Sequence, residues 1–121
     1  MNRLIIALLG SVLYSGASMA QKQTYFTNPV IHGDVADPSI LRIDDTYYAT
    51  GTSSEWAPYY PVFTSKDLVN WKQTGHVFEQ QPEWTKSSFW APEWYYHNDK
   101  VYVYYTARKK SNNTSNIGGA T

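Results

Sequence analysis

From Lys100 to Thr106 the side chains fall into two interleaved sets, Val101, Val103 and Tyr105 against Tyr102, Tyr104 and Thr106. That is the period of two that a pleated strand imposes. Both sets are bulky, as expected of a strand covered on both faces. Other short apolar runs are set off by turn residues. Ser39 to Ile43 ends at Asp44-Asp45, and Tyr47 to Thr52 follows with Gly51 near its end. Val62-Phe63-Thr64 leads into the turn Ser65-Lys66-Asp67-Leu68, and Trp71 to Phe78 makes a fourth run interrupted by Gly75. Glu93 to Tyr96, the turn His97-Asn98-Asp99 and Lys100 to Thr106 form a further hairpin, and Ile117 to Thr121 opens another strand. Gln21 to Gly33 reads as an irregular lead-in with a turn at Asn28-Pro29, and Glu55 to Tyr60 as an exposed loop. Beyond the first twenty residues no stretch carries a helical period.

The strands repeat. Setting Pro38 on Pro92 gives an offset of 54 residues, at which Asp45 falls on Asp99, Tyr48 on Tyr102 and Thr52 on Thr106. A repeat of this length made of short antiparallel strands fits a β-propeller blade better than a helical solenoid. The fold class is therefore all-β. The first blade is expected over about 36–78 and an incomplete second blade over about 89–121, roughly one and a half blades. Propellers need about four or more blades, so the chain is expected to be the N-terminal part of a larger domain. A sheet array stopping mid-blade is expected to expose strand edges and aggregate.

The first twenty residues stand apart. Met1-Asn2-Arg3 is a short basic start, Leu4 to Leu13 is apolar apart from Gly10 and Ser11, and Ser18-Met19-Ala20 supplies small residues before a cut ahead of Gln21. This is the pattern of a secretory signal peptide over 1–20, too short for a membrane span. The mature protein is expected to start at Gln21 and to be exported, periplasmic or extracellular, with no membrane insertion after cleavage. Residues 21–121 contain no cysteine, so no disulfide supports the exported domain.

Charge narrows the partners. Ten basic residues balance ten acidic ones, and there is no basic stripe for nucleic acid and no polybasic membrane patch. Arg108-Lys109-Lys110 reads as a solvated loop. Asn112-Asn113-Thr114-Ser115 holds overlapping glycosylation sequons that matter only in a eukaryotic secretory route. His32, His76 and His97 show no metal-ligand spacing, so no metal and no cofactor is assigned. The strong compositional signal is aromatic: five Trp, eleven Tyr and four Phe. Packed sheets use such residues, and so do clefts in which sugar rings stack on aromatic planes.

Among the acidic residues Asp37 is the leading catalytic candidate. It stands just ahead of a blade's first, innermost strand, whose end opens on the propeller axis. Pro38 is expected to press its backbone toward an extended conformation. A carboxylate fixed there can take a proton from water. Asp-Pro by itself is also a common turn dipeptide.

Asn28-Pro29-Val30-Ile31, then Ala36-Asp37-Pro38-Ser39-Ile40 and Asp45-Thr46-Tyr47-Tyr48, resemble the opening of glycoside hydrolase family 43. Ser65-Lys66-Asp67-Leu68-Val69-Asn70-Trp71 resembles that family's outer edge of the first blade, and Phe89-Trp90-Ala91-Pro92-Glu93 the start of its second. The resemblance implies a five-bladed β-propeller glycosidase that acts by inversion on arabinose- or xylose-containing plant polysaccharides or the oligosaccharides derived from them. It implies that Asp37 is the general base. It also implies that the general acid, and the aspartate that tunes it, belong to later blades absent from these residues, so the chain alone is expected to be inactive. Trp90 matches the family's pocket tryptophan, with packing between blades as its alternative, and Phe89 and Trp56 are further substrate-binding candidates. Glu93 matches a variable acidic position, for which a structural or rim role is expected. Trp71, Trp94 and the pairs Tyr47-Tyr48 and Tyr95-Tyr96 read as packing. Two other readings stand beside this one: a non-catalytic carbohydrate-binding propeller, which needs no acid, and a related fructan-cleaving enzyme that retains configuration, which the Ala36-Asp37-Pro38-Ser39 context fits less well.

Overall fold

The computed structural model describes residues 25–121. The expected signal peptide lies outside these residues. Seven strands follow in order: β1 Ser39–Ile43, β2 Thr46–Thr50, β3 Tyr59–Ser65, β4 Lys72–Phe78, β5 Thr85–His97, β6 Lys100–Lys109 and β7 Ser115–Ala120. They form two antiparallel meanders, a four-stranded sheet β1-β2-β3-β4 and a three-stranded sheet β5-β6-β7. Among the described residues no helix is long and apolar enough to cross a membrane.

The first hairpin of each sheet obeys the 54-residue offset pair by pair. Ser39 faces Thr50, Ile40 faces Ala49 and Leu41 faces Tyr48. Glu93 faces Tyr104, Trp94 faces Val103 and Tyr95 faces Tyr102. Two-residue turns close both hairpins, at Asp44-Asp45 and Asn98-Asp99. Asn98 and Asp99 both take positive φ, 48° and 58°, the backbone that tight hairpins require and that Asn and Asp tolerate.

The sheets pack through aromatic rings. Tyr60, Phe89, Tyr105 and Ala107 form the buried cluster, flanked by Tyr59, Val77, Phe78 and Trp84. Tyr59 and Phe89 lie 4.1 Å apart between centroids, Phe78 meets Tyr105 edge-on at 5.2 Å, and Trp84 stacks on Tyr105 at 6.0 Å. Such pairs contribute about 0.5–1.5 kcal/mol each beyond the area they bury. Gly118, paired with Tyr105, leaves room for this stack, since a Cβ there would come within 2.5 Å of Tyr105 and 2.6 Å of Trp84. The buried Tyr60 hydroxyl is shared between the carbonyls of Thr106 at 3.2 Å and Trp90 at 3.4 Å. Burial, with Tyr105 nearby as a smaller cause, pushes its pKa far above the ordinary tyrosine value.

A polar seam joins the two sheets, and its Ser39–Glu93 contact links positions 54 residues apart. The Ser39 hydroxyl donates to Glu93 Oε1 at 3.2 Å and accepts the Trp94 N–H at 3.0 Å. Glu55 Oε1 accepts both the N–H and the hydroxyl of Ser88 at 3.0 Å. An antiparallel bridge between Ser54 and Phe89 completes the junction.

Three expectations are corrected. Tyr60 was expected in an exposed loop, yet it belongs to β3 and is buried; its φ of 57° turns the ring into the space between the sheets. β5 begins at Thr85 rather than Glu93, because β6 runs on to Lys109 and holds the earlier segment through three register shifts. One shift, between Trp90 and Glu93, accommodates Pro92, which cannot donate to a ladder. Tyr95 and Tyr96 are exposed rather than packed among the described residues.

Candidate active site

The segment ahead of β1 is tied to the far end of β2. The Thr52 N–H donates to the Ala36 carbonyl at 2.9 Å. Gly51 permits this approach, because a Cβ there would lie 2.7 Å from Val35 Cγ1 and 3.0 Å from the Ala36 oxygen. Asp37 thereby stands at the end of the first sheet where β1 begins and β2 finishes, and it is exposed. Its backbone is not extended as expected: φ is 48°, in the left-handed region. A non-glycine residue held there costs about 1–3 kcal/mol unless its surroundings hold it, and aspartate is among the residues that tolerate it best.

Ala91, the residue 54 positions on, has the same backbone, with φ 45°. The two sheets therefore repeat the kink before proline, but only the first carries a carboxylate at it. One hydroxyl connects the two kinks. Thr52 Oγ1 donates to Asp37 Oδ2 at 2.8 Å and accepts the Ala91 N–H at 2.9 Å. Among the described residues Asp37 Oδ1 has no protein partner.

The aromatic candidates separate. Trp90 is 38% exposed and paired with Thr106 within the second sheet, with the Arg108 guanidinium 5.9 Å from its ring centroid. Such a contact steadies an exposed ring by about 0.5–1 kcal/mol. Trp56 is 79% exposed on the loop joining β2 to β3. It lines a shallow depression with Asp34, Thr52, Ser53, Ser54 and His76, so its ring and the Asp37–Thr52 pair share one end of the sheet. Phe89 is 1% exposed, covered by Tyr59 and Tyr60, and offers no free face to a sugar. It lies in the core because the register shifts of β5 turn it inward. Glu93 is occupied with Ser39 on the seam.

A larger apolar depression is lined by Pro29, Val35, Pro38, Ile40, Leu68 and Trp71, and no carboxylate lines it. Among the described residues no three His, Asp or Glu side chains converge as metal ligands would. Thr52 had no assigned role in the sequence, and Arg108, expected in a solvated loop, belongs instead to β6, where pairing with β5 and β7 continues the strand to Lys109. For Thr52 a signal existed: the offset sets it on Thr106 while setting Asp37 on Ala91, so the repeat keeps the threonine where it does not keep the carboxylate.

Residues 26–121 match the family model described as glycosyl hydrolases family 43. A non-reducing-end α-L-arabinofuranosidase of Bacteroides ovatus is 38% identical over 108 residues, which is 84% of this chain and 20% of that protein. An extracellular exo-α-(1→5)-L-arabinofuranosidase of Cellvibrio japonicus is 36% identical over 92 residues, 70% of this chain and 25% of that protein. A β-xylosidase of Bacillus subtilis is 35% identical over 86 residues, 66% of this chain and 16% of that protein. Among solved structures, a family 43 protein of the Bacteroides ovatus xyloglucan PUL superposes with a TM-score of 0.67 at 33% identity, covering 78% of this chain and 20% of its own. The chain thus spans between 16% and 25% of the length of these three curated relatives.

Proposed function

The chain belongs to glycosyl hydrolase family 43, and from that premise we propose that it carries the general base of a glycosidase cleaving arabinose- or xylose-containing oligosaccharides with inversion. Its all-β fold is that of the family's five-bladed propellers. In this reading each sheet is a blade, the first over about 36–78 and the second, since β5 begins at Thr85, over about 85–121, and Asp37 projects at the axis end of the first. The observation that carries the reading is the Asp37 carboxylate itself: exposed, held at Oδ2 by Thr52, and free of protein partners at Oδ1 among the described residues.

Inversion is a single displacement. The oxygen of a water bonds to the anomeric carbon while Asp37 takes that water's proton. The glycosidic C–O bond breaks, its electron pair goes to the leaving oxygen, and a protonated carboxyl group delivers a proton there. The two carboxyls stand about 6.5–9.5 Å apart so that the water fits between base and sugar. Glu55 and Glu93, the carboxylates on the seam, are committed to Ser88 and Ser39. We therefore assign the acid, and the aspartate that tunes it, to parts of the protein that these residues do not include. Trp90 and Trp56 offer the exposed ring faces on which a pyranose or furanose would stack. Export is part of the proposal, supported by the leader pattern of residues 1–20 and by the extracellular character in the Cellvibrio relative's name.

The test uses the protein as its gene encodes it. Asp37→Ala is expected to lower hydrolysis of p-nitrophenyl α-L-arabinofuranoside or β-D-xylopyranoside by about 10²–10⁴-fold, with an unchanged far-UV spectrum. Unchanged turnover would remove Asp37 as the base. NMR of the first-formed sugar is expected to show the inverted anomer. Native protein that binds arabino- or xylo-oligosaccharides without releasing product would instead be a carbohydrate-binding propeller.

A further inference from the structure

We propose that Thr52 is the positioning residue for the base, and that through it the second sheet orients the carboxylate of the first. The inference rests on the reading of Asp37 as the base. Thr52 Oγ1 accepts the Ala91 N–H at 2.9 Å and donates to Asp37 Oδ2 at 2.8 Å. Both contacts are within ordinary hydrogen-bond range. With a lone pair occupied by that N–H, the hydroxyl proton is directed at the carboxylate. Oδ2 is thereby committed, and Oδ1 is left as the oxygen that accepts the proton of water.

The arrangement crosses the junction of the two sheets. Thr52 directly follows Gly51 past the end of β2, where its own N–H is fixed by Ala36. The Ala91 N–H lies in the register shift between Trp90 and Glu93, outside the β5–β6 ladder. Without the Thr52 oxygen it would lack this acceptor. A misplacement of about 1 Å at a reacting group can cost about 10²-fold in rate, so a carboxylate on an exposed, kinked segment needs such a support. The structure joins that support to the docking of the second sheet.

The test compares Thr52→Val, which keeps the shape and removes the hydroxyl, with Thr52→Ser, which keeps the hydroxyl, and Asp37→Ala, all in the protein as its gene encodes it. The expected result for T52V is a fall in kcat of about 10- to 100-fold with KM within about twofold. T52S is expected to hold kcat within about threefold of native. A native kcat in T52V while D37A is inactive would overturn the positioning role and leave the base in place. Activity in D37A would overturn the base, and the role of Thr52 with it. A loss carried by KM alone would make Thr52 a substrate contact and overturn the proposal. If T52V does not fold, T52A replaces it, and equal kcat losses in T52A and T52S would count against the hydroxyl.

Discussion

Asp37 and Ala91 occupy matching places with matching backbones, and the difference between a carboxylate and a methyl group decides which sheet carries the candidate chemistry. As a candidate, Asp37 stood out in the sequence, because an acidic residue before proline and a strand lay within a recognisable series of motifs. Its left-handed φ was not legible, since Pro38 favours an extended backbone before it and the kink is seen only where Asp37 meets Thr52 across the sheet end. Phe89 shows the opposite limit. An aromatic residue next to Trp90 in the same motif, it is a candidate sugar contact by sequence, yet it fills the space between the sheets. Phe89→Ala is expected to cost about 3–5 kcal/mol of stability, read as a lower denaturation midpoint, with Tyr59 and Tyr60 losing the ring they pack on. A loss below about 1 kcal/mol, the range expected of surface substitutions, would contradict its place in the core.

At the scale of elements, the hairpins were the most legible feature, because two turn residues between β-formers fix both the reversal and the register. The turn between β3 and β4 has its own internal support. Asp67 accepts the backbone N–H groups of Asn70 at 2.7 Å and Val69 at 3.0 Å, the Asn70 side chain at 2.7 Å and the Ser65 hydroxyl at 3.0 Å. The Asn70 N–H foremost, then the Asn70 side chain and the Val69 N–H, hold its carboxyl well below the usual carboxylate range. A carboxylate lowered on folding stabilises the fold at pH values above its unfolded pKa, about 3.9. That contribution is lost as pH falls toward the folded value. Asp67→Asn is therefore expected to lower Tm near neutral pH and to flatten its decline below about pH 4. Parallel Tm–pH curves for native and variant would show that the turn contributes nothing to acid sensitivity. The bounds of β3 and β5 were less legible. Proline and positive-φ residues within them break local alternation, and only pairing with neighbouring strands keeps them in the sheets.

For the whole molecule, the two sheets share one aromatic core while leaving apolar surface outside it. Ile40 is 54% exposed and Ile117 80% exposed, and among the described residues β4 and β7 present edges without a neighbouring strand. Residues 25–121 produced alone are expected to self-associate with rising concentration and to bind a hydrophobic dye. A concentration-independent monomer with a sharp, cooperative unfolding transition would contradict this. The sequence by itself determined the all-β class, the 54-residue repeat, the hairpin turns and the family, and it singled out Asp37 and Trp90, because strand alternation, turn chemistry and motif spacing are local properties that short stretches encode. Only the tertiary structure decided that Phe89 and Tyr60 are core and that Thr52 joins Asp37 to Ala91. Those facts depend on which residues meet across the junction of two sheets, and that is fixed by packing and register between segments dozens of residues apart.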